Sequence, residues 1–148
     1  LDLLGRKVLG NNGATLKKFG KLVGALVAEE GVNEKMAEFI TPIAVLGEQI
    51  TKFTTEIGFK GFQNADEVGA AAVDYLRVAG HLVFGYFFAR MAQVALREIA
   101  AGNTDPFYPA KLQTARFYFA KLFPETATLM RTARAGSKVL MDTDLALA

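Results

Sequence analysis

Apolar residues recur every three or four positions along this chain, while alternation at period two bounded by turn residues is missing, so the sequence predicts an all-α protein. The clearest stretch is Met36, Phe39, Ile43, Leu46, Ile50, Phe53 and Ile57, an unbroken 3,4,3,4,3,4 spacing that places seven large side chains on one helix face. Proline at position 42 removes an amide donor inside this stretch, yet the apolar register does not slip across it, which predicts a kinked helix rather than two. Asn33 is placed to cap it, and Gly58, Gly61 and Asn64 predict that the chain turns over residues 58–65.

Ahead of it, residues 14–30 predict a helix with Leu16, Phe19, Val23, Leu26 and Val27 on one face and Lys17, Lys18 and Lys21 towards water. Gly31 closes that helix, and Gly10, Asn11, Asn12 and Gly13 supply turn and capping chemistry before it. Residues 2–9 read as the end of a preceding helix. Downstream, Asp66 is placed to cap a third and longest helix over residues 67–101. Its centre, residues 82–92, is apolar on nearly every side except for Arg90 and calls for burial all round, in a bundle or a subunit interface. Gly69, Gly80 and Gly85 are expected to let neighbouring helices approach closely.

The run Gly102, Asn103, Thr104, Asp105, Pro106 predicts a turn, and Pro109 falls where the first turn of a fourth helix tolerates proline. Leu112, Ala115, Phe119, Leu122, Phe123, Leu129 and Met130 form that helix's apolar face, with a kink at Pro124 and an end at Gly136. Residues 137–148 are expected to add a short helical turn before a mobile end. Four long helices with short connections imply an up-and-down four-helix bundle over residues 13–148, with residues 1–12 belonging to a preceding helical region.

A chain of 148 residues buries roughly 68–70% of its unfolded surface, enough for one self-sufficient core. The absence of Cys excludes disulfides, a thiolate metal site and a cysteine nucleophile. The net charge of +2 is too small for nucleic-acid binding, which needs a dense basic stripe. Arg77, His81, Arg90 and Arg97 interrupt the third helix too often for a membrane span. Charge is unevenly distributed: residues 1–28 carry five Lys/Arg against one Asp, residues 29–67 three Lys against eight acids, and residues 106–148 six Lys/Arg against three acids. The acidic second helix should therefore lie beside basic neighbours, chiefly the first helix.

Candidate chemistry is sparse. The single histidine, His81, stands among apolar residues in the third helix and reads as a core or interface histidine satisfied by a hydrogen bond. Asp74 beside Tyr75 would have a perturbed pKa if buried, and reads as a surface or capping carboxylate. No Glu-x-x-His pair of the kind that holds metals in bundles occurs. The aromatic runs around Phe84, Tyr86, Phe87 and Phe88, and Phe117, Tyr118 and Phe119, have aliphatic rather than basic neighbours, so they read as core or a dimer face and not as base-stacking platforms.

Three segments carry a resemblance to a known family: Leu1, Asp2, Leu3, Leu4, Gly5, Arg6, Lys7; then Tyr75, Leu76, Arg77, Gly80, His81 with Arg90, Met91, Ala92; then Phe107, Tyr108, Ala110, Lys111, Leu112, Thr114, Ala115, Arg116, Phe117, Tyr118. In order and spacing they resemble acyl-CoA dehydrogenases of the subgroup with an extra C-terminal helical domain, which includes 3-methylmercaptopropionyl-CoA dehydrogenase-like enzymes. The resemblance implies a parent enzyme that uses FAD and forms the α,β-double bond of an acyl-CoA thioester, and the lack of Cys suits a cytoplasmic protein. Its proton-abstracting glutamate and flavin-binding barrel would precede Leu1. On that reading this chain is an excised C-terminal fragment, inactive alone, without catalytic, metal or cofactor residues of its own, serving packing and homo-oligomerisation with the rest of the parent chain. Arg6 and Lys7 would lie near a cofactor or a partner subunit, or simply on the surface. The competing expectation is a free-standing helical module that holds an acyl chain or a partner helix between its Phe-rich helices.

Overall fold

The computed structural model describes residues 1–11 and 13–141, and among them every regular element is helical. A segment with i→i+5 hydrogen bonds, Asp2–Val8, leads through a short 3₁₀ turn to α1 (Ala14–Glu30). Then come α2 (Ala37–Gln63), α3 (Asp66–Ala100), α4 (Phe107–Phe117), a second i→i+5 segment Tyr118–Leu122, α5 (Glu125–Ala133) and α6 (Lys138–Met141). Six α-helices thus stand where four long ones were expected. Asn12 and residues 142–148, for which turn chemistry and a mobile end were expected, lie outside the described residues.

Helix boundaries follow from a few residues. Gly13 adopts φ +73° ahead of α1, a left-handed conformation that side chains oppose, and its carbonyl accepts the first helical bond from Lys17. Asn33 accepts a hydrogen bond from the Lys35 amide at 3.2 Å. The expected turn over residues 58–65 shrinks to two residues, because α2 continues through Gly58 and Gly61 to Gln63. These glycines serve close approach instead: a Cβ at Gly61 would stand 2.6 Å from Val68 Cγ2 on α3. Asn64, and not Asp66, supplies the bond at the start of α3, accepting from the Asp66 amide at 3.0 Å. Asp66 and Glu67 then occupy its first turn, where the helix dipole favours acids.

Pro42 lies inside α2 without ending it, and Phe39, Ile43, Leu46, Ile50, Phe53 and Ile57 are all buried. Pro124 does more than kink the last helix. The Phe123 amide reaches back five residues to the Tyr118 carbonyl at 2.9 Å, which widens the turn before proline and separates α4 from α5.

The core runs along α3, which packs on α2, α4, α5 and the Asp2–Val8 segment, while α1 packs mainly on α2. Leu4 and Val8 are buried in the same core as Tyr75, Val78 and Leu82. The acidic residues of α2 do not chiefly complement α1 as expected. Glu38 pairs with Arg116 at 2.9 Å and Glu56 with Arg134 at 3.4 Å, so α2 is laced to the α4–α5 side of the molecule. Lys17, Lys18 and Lys21 are exposed, as the α1 pattern required.

Candidate functional site

His81 lies mid-way along α3 with its ring largely covered, and it is hydrogen-bonded at both nitrogens. Nδ1 is 2.9 Å from the Tyr118 hydroxyl and Nε2 is 2.8 Å from Glu125 Oε2. The Tyr118 hydroxyl also donates to the His81 backbone carbonyl at 3.2 Å. The carboxylate can only accept, so Nε2–H donates to Glu125, while the direction of the Nδ1–Tyr118 bond follows the tautomer of the ring. Arg77, one turn earlier, pairs with the same carboxylate.

Burial pushes the Tyr118 phenol well above its ordinary range, so it stays protonated and able to donate. Glu125 is held below its ordinary value, first by the hydrogen bond from His81 and then by the Arg77 charge. The cluster does not line the groove described below. What it does is mechanical: three polar groups tie α3 to the Tyr118–Leu122 segment and to the first turn of α5.

A pH dependence follows. Glu125 titrates lower folded than unfolded, so its contribution is fully present above the ordinary carboxylate value of 4.5 and is lost as pH falls through the folded value. Glu125→Gln is expected to be less stable than the native chain at neutral pH. The gap between the two unfolding midpoints should narrow as pH drops from about 5 to about 3. A gap independent of pH would refute this role for the carboxylate.

The other residues singled out in the sequence are not brought to this cluster. Tyr75 is fully buried, with its hydroxyl 2.7 Å from Thr54 Oγ1, and burial raises its pKa. Asp74 is half-buried beside it. Arg6 and Lys7 both pair with Asp2 on the surface, at 2.6 Å for Arg6 Nε and 3.4 Å for Lys7. Among the described residues no group of three His, Cys, Asp or Glu side chains could hold a metal ion.

The most extensive unsatisfied feature is apolar. Within the chain the centre of α3 is buried on one side only: one face packs into the core, and the opposite face does not. Val73, Leu76, Phe84 and Phe87 are 69, 55, 60 and 61% exposed, and Val83 and Val94 continue the same line. Gly69 and Gly80 fall on this stripe, where an added Cβ would meet nothing within 4 Å. Only Gly85 of the three α3 glycines allows close approach inside the chain, since a Cβ there would lie 2.9 Å from Ile43 Cγ2. Exposed apolar patches of this kind mark protein–protein or membrane contact sites or ligand grooves.

The family described as acetyl-CoA dehydrogenase C-terminal like matches residues 15–144. The chain is 28% identical over 143 residues to the 3-methylmercaptopropionyl-CoA dehydrogenase of Ruegeria pomeroyi (strain ATCC 700808 / DSM 15171 / DSS-3), a match that covers 94% of this chain and 24% of that protein. The chain thus spans about a quarter of the length of this curated relative.

Proposed function

The chain belongs to the acetyl-CoA dehydrogenase C-terminal like family, and we propose that it serves an FAD-dependent acyl-CoA dehydrogenase as a helical packing and oligomerisation domain, without catalysing a reaction itself. The observation that carries this reading is the exposed stripe on α3, which joins helix-forming sequence to a surface unsuited to water. A dehydrogenation of an acyl-CoA thioester would be the work of the remaining polypeptide, in the cytoplasm. No helix among the described residues is long and apolar enough to cross a membrane.

On this reading the residues here hold no flavin. The Gly10–Gly13 turn lacks the preceding strand and the Lys-Ser/Thr ending of a phosphate loop. Tyr75 already bonds to Thr54 on α2, and His81 to Tyr118 and Glu125. FAD is therefore assigned to the rest of the parent enzyme.

The test is the assembly state. The chain is expected to self-associate in sedimentation, and Leu76→Glu with Phe87→Glu should make it monomeric while leaving its thermal midpoint within a few degrees, because both side chains point away from the core. A native chain that sediments as a monomer at high concentration would remove the oligomerisation role.

A further inference from the structure

We propose that a groove between the Asp2–Val8 segment, α1 and the C-terminal half of α2 binds a long-chain aliphatic monocarboxylate, its chain along the groove and its carboxylate on Lys17. The groove has a volume of about 900 Å³, within the range of small-molecule sites. Leu9, Leu16, Phe59 and Val68 contribute apolar wall. Phe62, 95% exposed, stands at its edge, and covering it would remove apolar surface from water.

The polar side chains in the wall make no demand on a guest. Thr51, Thr54 and Thr55 donate to the carbonyls of Gly47, Ile50 and Thr51 at 2.8, 2.6 and 3.2 Å. An extended peptide would bring amides that find few partners here, whereas a methylene chain needs none. No acidic residue lines the groove, and Lys17 is its one charged side chain, without an ion pair among the described residues. A single cation beside an apolar trough matches a single anion on an apolar tail.

Gly20 lines the groove as well. It sits inside α1, where glycine is disfavoured, and a Cβ there would meet nothing within 4 Å. Gly61, by contrast, is needed by the fold because its Cβ would strike Val68. Nothing within the chain requires the missing side chain at position 20, and its absence keeps the groove open. The α3 stripe residues Val73, Leu76, Phe84 and Phe87 do not line this groove, so the proposal does not depend on the assembly role.

The experiment uses the 148-residue chain with its amino terminus acetylated, so that Lys17 is the cation being read. cis-Parinarate is bound and then displaced by octanoate, laurate or palmitate below their micelle concentrations. Binding at one ligand per chain is expected, tightening from octanoate to palmitate. Gly20→Leu should abolish it without lowering the thermal midpoint. Lys17→Glu should weaken palmitate several-fold, more at low salt, and leave hexadecanol unchanged. Three results would overturn the proposal: no displacement by any acid, native palmitate affinity in folded Gly20→Leu, or an equal loss of hexadecanol in Lys17→Glu. If Gly20→Leu instead splits a lipid-free dimer, the groove's occupant is a second copy and the lipid proposal fails.

Discussion

Phe39→Ala is expected to lower the unfolding free energy by about 3–5 kcal/mol, the range for deleting a fully buried aromatic ring. Phe39 has no exposed surface and meets Phe119 edge-on, with ring centroids 5.7 Å apart. It lies one turn before Pro42, where α2 lacks an amide and depends on packing to hold its direction. On the other side of the contact, Phe119 belongs to the segment that carries the chain around Pro124. Removing the ring therefore opens a cavity between two irregular stretches, neither of which has a full helical hydrogen-bond ladder to resist movement. Urea unfolding checks this as a fall in midpoint with little change of slope. Phe62→Ala, at a position 95% exposed, should stay within about 0.5 kcal/mol. Equal effects at positions 39 and 62 would contradict the packing described here.

Two glycines five residues apart on α3 should respond with opposite signs. At Gly80 an alanine gains about 1 kcal/mol of helix propensity and meets nothing within 4 Å, so Gly80→Ala should stabilise the isolated chain. At Gly85 the new Cβ would lie 2.9 Å from Ile43 Cγ2 and 3.0 Å from Phe123 Cε2. Ile43 is fully buried and β-branched, and the Phe123 ring is nearly as enclosed, so neither can swing away. Gly85→Ala should therefore be destabilising despite its propensity. Gly85→Leu should cost about 1–3 kcal/mol or more, as overpacking drives α2 and α5 from α3. A stabilising Gly85→Ala would show that α2 can shift along α3 at little cost.

Much of the fold was legible in the sequence because local signals and packing agree. Gly13 and Gly31 bracket α1 at its expected ends, and the 3,4 spacing of α2 holds across Pro42. Gly58 and Gly61 misled for a physical reason. Glycine marks both turns and close helix contacts, and only the position of Val68 on α3 distinguishes them. At Pro124 a kink was expected and the helix divides instead, because the Phe123 amide finds a carbonyl five residues back.

The polar cluster was half legible. His81 stood out as satisfied by hydrogen bonding, but Tyr118 and Glu125 are 37 and 44 residues away and no local pattern links them to it. The charge blocks pointed α2 towards basic neighbours, chiefly α1, and named the wrong neighbour. Arg116 and Arg134, rather than the lysines of α1, have the reach and position to pair with Glu38 and Glu56. On α3 the periodicity revealed a helix apolar on both faces, and no periodicity can say which face the same chain covers.

The stripe on α3 also carries a thermal signature. Any surface that covers Val73, Leu76, Phe84 and Phe87 does so by releasing water from apolar groups, a process with a negative heat-capacity change whose driving force fades on cooling. An assembly built through this helix would therefore be cold-labile, loosening in the refrigerator and tightening on the bench.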